Sequence, residues 1–304
     1  MQQFAIVFTC NPDQPRLSAS TVSSASTRAG GGTAAELRWL KPGTACEVMF
    51  STDKTERNTV LAALRDEFAG QEVDVNLIVC DQNRRKRLLI ADMDSTIIQQ
   101  ECIDEIAAFA GAGAQVSAIT ERAMRGEIDF EDALRERVGL LKGLIRDDLH
   151  RALDERIYLM AGAKPLVATM SASGAYCALV SGGFTFFTSE IARRVGFHEN
   201  RANTLLFDDD VLSGEVAAPI LGREAKLAVL VELLSTRNVD RAASIAVGDG
   251  ANDLAMIRHA GLGVAYRAKP VVGAEADASI VYGDLTALLY LQGYTHEDIV
   301  WGDD

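Results

Sequence analysis

Two acids one residue apart close the stretch Arg87-Leu-Leu-Ile-Ala-Asp92-Met-Asp94-Ser-Thr96. The apolar run before them is long enough for a buried strand, and carboxylates at the end of such a strand repel each other and are poorly solvated. A polar turn alone would not need both. A bound cation or a shared proton accounts for the pair. Three later stretches add to it. Leu179-Val-Ser181-Gly182-Gly183 is an apolar run ending in a hydroxyl and two glycines. Arg223-Glu-Ala-Lys226 opens a long amphipathic segment, and Ser244-Ile-Ala-Val-Gly248-Asp249-Gly250-Ala-Asn252-Asp253 is a short apolar run ending in glycines and acids.

The elements that must position these groups can be read from the same pattern. From Lys164 onward helical and strand-like segments alternate, which predicts a mostly parallel, doubly wound α/β sheet. Ligands bind such sheets beyond the carboxyl ends of the strands. The groups at 92–96, 181–183 and 248–253 all follow strands, and this shared placement argues for one site. Residues 84–98 and 164–295 are assigned to this core. Between its two parts, 99–163 reads as a helical cap: helices at Glu101–Ala110, Gln115–Arg125, one N-capped by Asp129, and Asp147–Met160. Thr204–Val216 reads as a hairpin whose Asp208-Asp-Asp210 turn is solvated rather than a calcium loop, which needs a longer ligand series. Residues 1–83 follow the order β-α-β-β-α-β of a ferredoxin-like α+β unit, with Gly30-Gly-Gly32 closing its Ser/Thr-rich first helix.

Composition narrows the function classes. A chain of 304 residues holds two or three compact units, and 48% hydrophobic with 24% charged residues is ordinary for a soluble protein. No apolar run approaches the roughly 20 residues of a membrane-spanning helix, and Met1-Gln-Gln-Phe lacks the features of a secretory signal. Five scattered cysteines without a C-x-x-C pair suit a reducing cytoplasm and argue against zinc. A net charge of -13 argues against a nucleic-acid partner, with Arg84-Arg-Lys-Arg87 a solvated approach to the central strand. An acidic enzyme acting on an anion must make its positive field locally.

In their order and wording the four motifs resemble those of the haloacid-dehalogenase (HAD) phosphohydrolase superfamily, over about residues 85 to 295. Asp92-Met-Asp94-Ser-Thr, followed by Glu101 and the segment Phe130 to Arg137, is similar to the branch that acts on O-phospho-L-serine. A hard, oxygen-rich site of Asp92 and Asp249 favours magnesium. The resemblance implies that the main-chain carbonyl of Asp94 is a third ligand and that Asp92 is the nucleophile, forming an aspartyl-phosphate. Asp94 then serves as general acid and base. Ser181, the Gly182 amide and Lys226 meet the phosphoryl oxygens, Asn252 lies near the phosphate, and Asp253 orients Lys226 or a metal-bound water. Thr96 fixes the loop. Glu101 suits the substrate ammonium and Arg137 its carboxylate, with Phe130 and Met124 as an apolar wall. The plainer alternatives are a solvated Arg137 paired with Asp132, Glu136 or another helix acid, and Phe130 and Met124 as cap core.

Three other functions compete: transfer of the phosphoryl group to another alcohol, a broader small-molecule phosphatase, and a serine sensor with a dead phosphatase body. Intact Asp92, Asp94, Lys226 and Asp249 argue against the last. The N-terminal unit resembles amino-acid-binding (ACT-like) regulatory modules. The alternative is a unit without a ligand that serves packing or dimerisation, the latter of which would make a homodimer. No nucleic-acid or membrane partner is expected beside the small-molecule substrate.

Overall fold

The computed structural model describes residues 2–28, 37–52, 57–125 and 127–302. Gly30-Gly-Gly32 and Glu36 lie outside them, as does the side chain of Met124. The first unit runs β1 (Gln2–Cys10), α1 (Ala19–Arg28), β2 (Leu37–Lys41), β3 (Ala45–Thr52), α2 (Arg57–Glu67) and β4 (Val73–Val79). Its sheet is antiparallel in the order β2-β3-β1-β4, the ferredoxin-like arrangement expected. β1 shows no polar alternation because both of its faces are covered. Phe4, Ile6 and Phe8 pack on Val22 and Leu64 of the two helices. Ala5 and Val7 face the other way, into the core of the larger unit.

That larger unit is built on six parallel strands in the order β12-β11-β10-β5-β6-β7. They are β5 (Leu88–Ala91), β6 (Tyr176–Phe184), β7 (Glu199–Asn203), β10 (Ser244–Gly248), β11 (Leu262–Tyr266) and β12 (Ala278–Ile280). β5 and β10 are fully buried apolar runs, as strands covered on both faces must be. β7 was not expected from the sequence. Glu-Asn-Arg-Ala-Asn has neither an apolar run nor alternation, and it survives as a strand because it lies at the sheet edge. The covering helices include α7 (Ala163–Ala172), α8 (Thr185–Val195), α9 (Arg223–Thr236), α10 (Leu254–His259), α11 (Pro270–Glu275) and α12 (Ala287–Leu291).

Between β5 and α7 come α3 (Cys102–Phe109), α4 (Gly113–Met124), α5 (Phe130–Gly139) and α6 (Arg146–Glu155). Asp129 caps α5 as anticipated, accepting from the Asp132 amide at 2.9 Å. The helix expected to run to Met160 stops at Glu155 instead. Its apolar spacing continues, but the backbone turns to pair with the other end of the insert. Ile98 and Leu159 bridge antiparallel, Gln99 N–H donates to Tyr158 O at 3.0 Å, and Met160 N–H to Ile97 O at 2.8 Å. The hairpin β8 (Leu205–Asp208) and β9 (Val211–Val216) joins these helices. Gly143 N–H donates to Leu212 O at 3.0 Å and Leu212 N–H to Leu144 O at 2.8 Å. The Arg146 guanidinium lies 3.9 Å from the centre of the Phe207 ring. Among the described residues no helix is long and apolar enough to cross a membrane.

Candidate active site

Strand register brings the motifs to one level. Ala91 is paired with Val247 on one side and with Leu179 on the other. The next residues along, Asp92, Gly248 and Val180, therefore stand together where the chain leaves β5 in one direction for β6 and returns beside it as β10. This is the switch point of the sheet. The Asp92 amide extends the ladder by one bond, donating to Val247 O at 3.0 Å.

Around Asp92 the charges are tightly packed. Lys226, 1% exposed, places Nζ 2.7 Å from Asp92 Oδ1 and 2.6 Å from Asp253 Oδ1. Burial opposes the Lys226 ammonium, but Asp253 and Asp92 outweigh it and hold its pKa above the ordinary lysine value. Burial, then Asp253, push Asp92 well above the usual carboxylate range, with Lys226 pulling the other way. Burial and Asp253 raise Asp249 to about 6. The Met93 amide also donates to Asp92 Oδ1, at 2.8 Å. Among the described residues Asp92 Oδ2 accepts nothing, so one oxygen is pinned and the other is available.

Carboxylate oxygens of Asp92, Asp249 and Asp253 lie within 4.8 Å of one another. Three hard donors with one ammonium among them leave an excess of negative charge in a largely dry place, a donor set that fits a small divalent cation. Asp253 is already engaged by Lys226 and by the Gly250 amide at 3.1 Å. This leaves Asp92 and Asp249 as the freer pair.

Asp94 is held differently. Its Oδ1 accepts from the Cys102 amide at 2.8 Å, and its Oδ2 from the Ser181 hydroxyl at 2.9 Å. Ser181 Oγ in turn accepts from the Gly183 amide at 2.8 Å. Of the two glycines after Ser181, the second is the more constrained. A Cβ on Gly183 would stand 2.9 Å from Asp94 Oδ2 and 3.0 Å from Ser181 Oγ, whereas one on Gly182 would meet only the Phe130 ring, at 3.3 Å. Both glycines stand in the motif, but the role expected at Gly182 has its tighter counterpart at Gly183, for which the sequence carries no expectation. Thr96 is buried with its hydroxyl unpartnered, so its backbone rather than its side chain holds the loop.

The cap comes down on this cluster. Phe130, the first residue of α5, lies over Gly182 and also over Gly222, the N-cap of the helix that carries Lys226. Glu101, just ahead of α3, accepts from the Ser95 hydroxyl at 2.8 Å. Ser95 itself adopts φ 55°, a left-handed conformation that gave no signal in the sequence. Glu101 still meets solvent, yet desolvation by the cleft walls and repulsion from Asp94 raise its carboxyl to about 7.

Arg137 donates from Nε to Ala133 O at 3.2 Å and from a terminal nitrogen to Thr120 Oγ1 at 3.4 Å. No carboxylate comes within 4.0 Å of it among the described residues. Glu136, its plainer partner, is taken by Arg122 at 2.9 Å. Burial lowers the Arg137 pKa, with Asp104 and Glu101 pulling it back up, so all three groups face one region. Asn252 sits on the loop after β10 with its amide oxygen folded over Gly250.

Known proteins match the stretch that carries these residues. A family model described as haloacid dehalogenase-like hydrolase matches residues 89–258. The phosphoserine phosphatase of Streptomyces coelicolor is 39% identical over 263 residues, covering 86% of this chain and 63% of that protein. The phosphoserine phosphatase of Haemophilus influenzae is 47% identical over 204 residues, covering 67% and 65%. The chain thus spans less than two thirds of the length of these relatives. A HAD family hydrolase from Salmonella enterica serovar Typhi superposes with a TM-score of 0.84 at 30% identity, over 95% of this chain and 98% of that one.

Proposed function

The chain belongs to the haloacid dehalogenase-like hydrolases, and among them to the phosphoserine phosphatases, and from that premise we propose that it hydrolyses O-phospho-L-serine to L-serine and phosphate with magnesium. Asp92 and Asp249 would hold the ion, together with the main-chain carbonyl of Asp94. The ion would neutralise phosphoryl oxygens and align the ester for in-line attack. One observation carries the chemistry: Lys226 and the Met93 amide both grip Asp92 Oδ1, which leaves Oδ2 without a partner and able to attack phosphorus.

In the first step a P–O bond forms to Asp92 as the bond to the serine oxygen breaks, and Asp94 gives that oxygen a proton. The Ser181 hydroxyl now donates to Asp94 Oδ2. Turning its proton to a phosphoryl oxygen stabilises the transferring group and frees Asp94 Oδ2 to carry the acidic proton. In the second step Asp94 takes a proton from water, the water oxygen bonds to phosphorus, and the Asp92 carboxylate is released. Lys226 and the Gly182 amide supply fixed positive charge where negative charge gathers; such donors are each worth about 3–4 kcal/mol of barrier. Closure of the cap through Phe130 keeps other water out.

Support for the substrate comes from the cap. Arg137 is half-buried without a carboxylate partner in a chain of net charge -13, an arrangement that fits a substrate carboxylate. Glu101 fits the ammonium. Product serine makes this the closing step of serine biosynthesis, and five free thiols suit the cytoplasm.

The test is magnesium-dependent phosphate release from L-phosphoserine beside phosphothreonine, phosphoethanolamine and an aryl phosphate. A strong preference for phosphoserine is expected. Equal rates on all four would remove the Glu101 and Arg137 roles, and no release from any would overturn the activity.

A further inference from the structure

Asp74 belongs to β4 of the N-terminal unit, ahead of the first catalytic motif, and alternation in Val-Asp-Val-Asn would put it in solvent. It is 4% exposed. Its carboxylate accepts from the backbone amides of Val281 at 2.8 Å, Tyr282 at 3.2 Å and Gly283 at 2.9 Å. Two residues on, Asn76 donates to Ser279 O at 3.0 Å and accepts from Ser279 N–H at 2.9 Å, as a neighbouring strand would. The outer edge of β12 is therefore closed by Asn76, and the segment that follows it is clasped by Asp74, both from the N-terminal unit.

The segment held by Asp74 leads to the base of the cap. Asp284 accepts from the Thr286 amide at 2.9 Å. Leu285 N–H donates to Ala161 O at 3.0 Å. A Cβ on Gly162, which has φ 82°, would stand 2.6 Å from Thr286 N and 3.0 Å from Leu285 N, so 161–162 and 285–286 are in contact. One residue back, Met160 N–H donates to Ile97 O at 2.8 Å, and the Arg267 guanidinium reaches Met160 Sδ at 3.6 Å. Ile97 follows Asp94 by three residues. A continuous backbone path thus runs from Asp74 through 281–286 and 160–162 to the paired strands on which the cap must turn.

We propose that Asp74 is a positioning residue for cap movement: by clasping 281–283 it fixes 285–286 against Ala161-Gly162 and so sets the hinge geometry. The N-terminal unit then bears on catalysis as part of the hinge mounting, with no ligand required. The warrant is physical contact along the whole path to an element that must take two positions. The kinetic part of the claim rests on the phosphatase reading above; the hinge part does not.

Full-length D74A, D74N and N76A are compared by amide hydrogen exchange and by steady-state phosphate release. N76A is the control, because it loosens β12 without touching 281–283. D74A should raise exchange at Leu285 and Met160 by roughly tenfold or more, as expected when charge-assisted bonds that restrain local opening are lost. It should also lower kcat and raise KM together, as hinge changes do, with D74N intermediate and N76A within about twofold of wild type at both amides. Faster exchange confined to 281–283, or an equal rise at Met160 in N76A, overturns the proposal. If D74A does not fold, D74N decides on the same readouts. If the wild type releases no phosphate the phosphatase reading fails, and exchange at Leu285 and Met160 still decides the hinge claim.

Discussion

Glu101 gives the sharpest test of how the substrate is chosen. With its carboxyl at about 7, roughly nine tenths of the groups are ionised at pH 8 and roughly one tenth at pH 6. An ammonium needs the ionised form, since a protonated carboxyl offers it no charge. Affinity for phosphoserine should therefore fall about tenfold between pH 8 and pH 6, about 1.4 kcal/mol. The sign follows from the raised pKa: the useful form is the one lost on acidification, and it is lost at a higher pH than for an ordinary glutamate. The phosphate ester also titrates near 6, so phospholactate, which keeps phosphate and carboxylate but lacks the ammonium, is the reference. The assay is the ratio of kcat/KM for the two substrates from pH 5 to 9 in saturating magnesium. A cation beside Asp249 moves the midpoint downward from 7, because Asp249 is one of the charges that raise it. The ratio should follow one ionisation in the wild type and be low and flat in E101Q. A flat wild-type ratio would refute the assignment of Glu101 to the ammonium.

Other outcomes follow from the same geometry. Lys226→Met leaves Asp92 and Asp253 buried and facing each other, so urea unfolding at pH 7.5 should show a loss of about 3–5 kcal/mol. That loss should shrink as pH falls, because protonating Asp92, whose folded pKa burial raises, removes its charge from the pair and stabilises the fold. Gly183→Ala pushes a methyl between Asp94 and Ser181 and should cost roughly 10- to 100-fold in kcat with unchanged circular dichroism, whereas Gly182→Ala should act mainly on KM through Phe130. Magnesium at about 100 times its Kd should raise Tm by roughly 5–10 °C, and a chelator should reverse both that rise and the activity. A Tm that ignores magnesium would count against Asp92 and Asp249 as its ligands.

The sheet and the cluster at its centre were legible because their signals are local. β5 and β10 are apolar runs that end in acids, and parallel pairing does the rest. What could not be read were features set by neighbours. Glu199–Asn203 becomes a strand only because β6 offers it an edge. Apolar spacing carries a helix past Glu155, but the backbone of 158–160 is claimed by 97–99. The hairpin 205–216 reads as part of the core stretch, although its hydrogen bonds go to the cap. Asp74 and Asn76 have the alternation of a solvated strand face and are buried by β12 and the segment after it, some 200 positions away. Site residues fared similarly: Lys226 and Asp253 stand in recognisable motifs, while the constraint at Gly183 appears only when Asp94 is set beside it.

The cap leaves and rejoins the core through two segments that are bonded to each other, Ile97–Gln99 and Tyr158–Met160. Where it meets the sheet the insert is thus equivalent to one short turn between adjacent strands, while the hairpin 205–216 holds it farther out. Its length and content can change without moving the ends of β5 or β10, provided that the start of α3 is kept, where the Cys102 amide holds Asp94 Oδ1. Two inheritances are separated in this way. On the proposed function, the machinery that breaks the phosphate ester is written in the strand ends, and the choice of what carries that ester in a cassette. A chimera that grafts another cap between α3 and Tyr158, leaving the Cys102 amide on Asp94, should keep the chemistry and change its clientele.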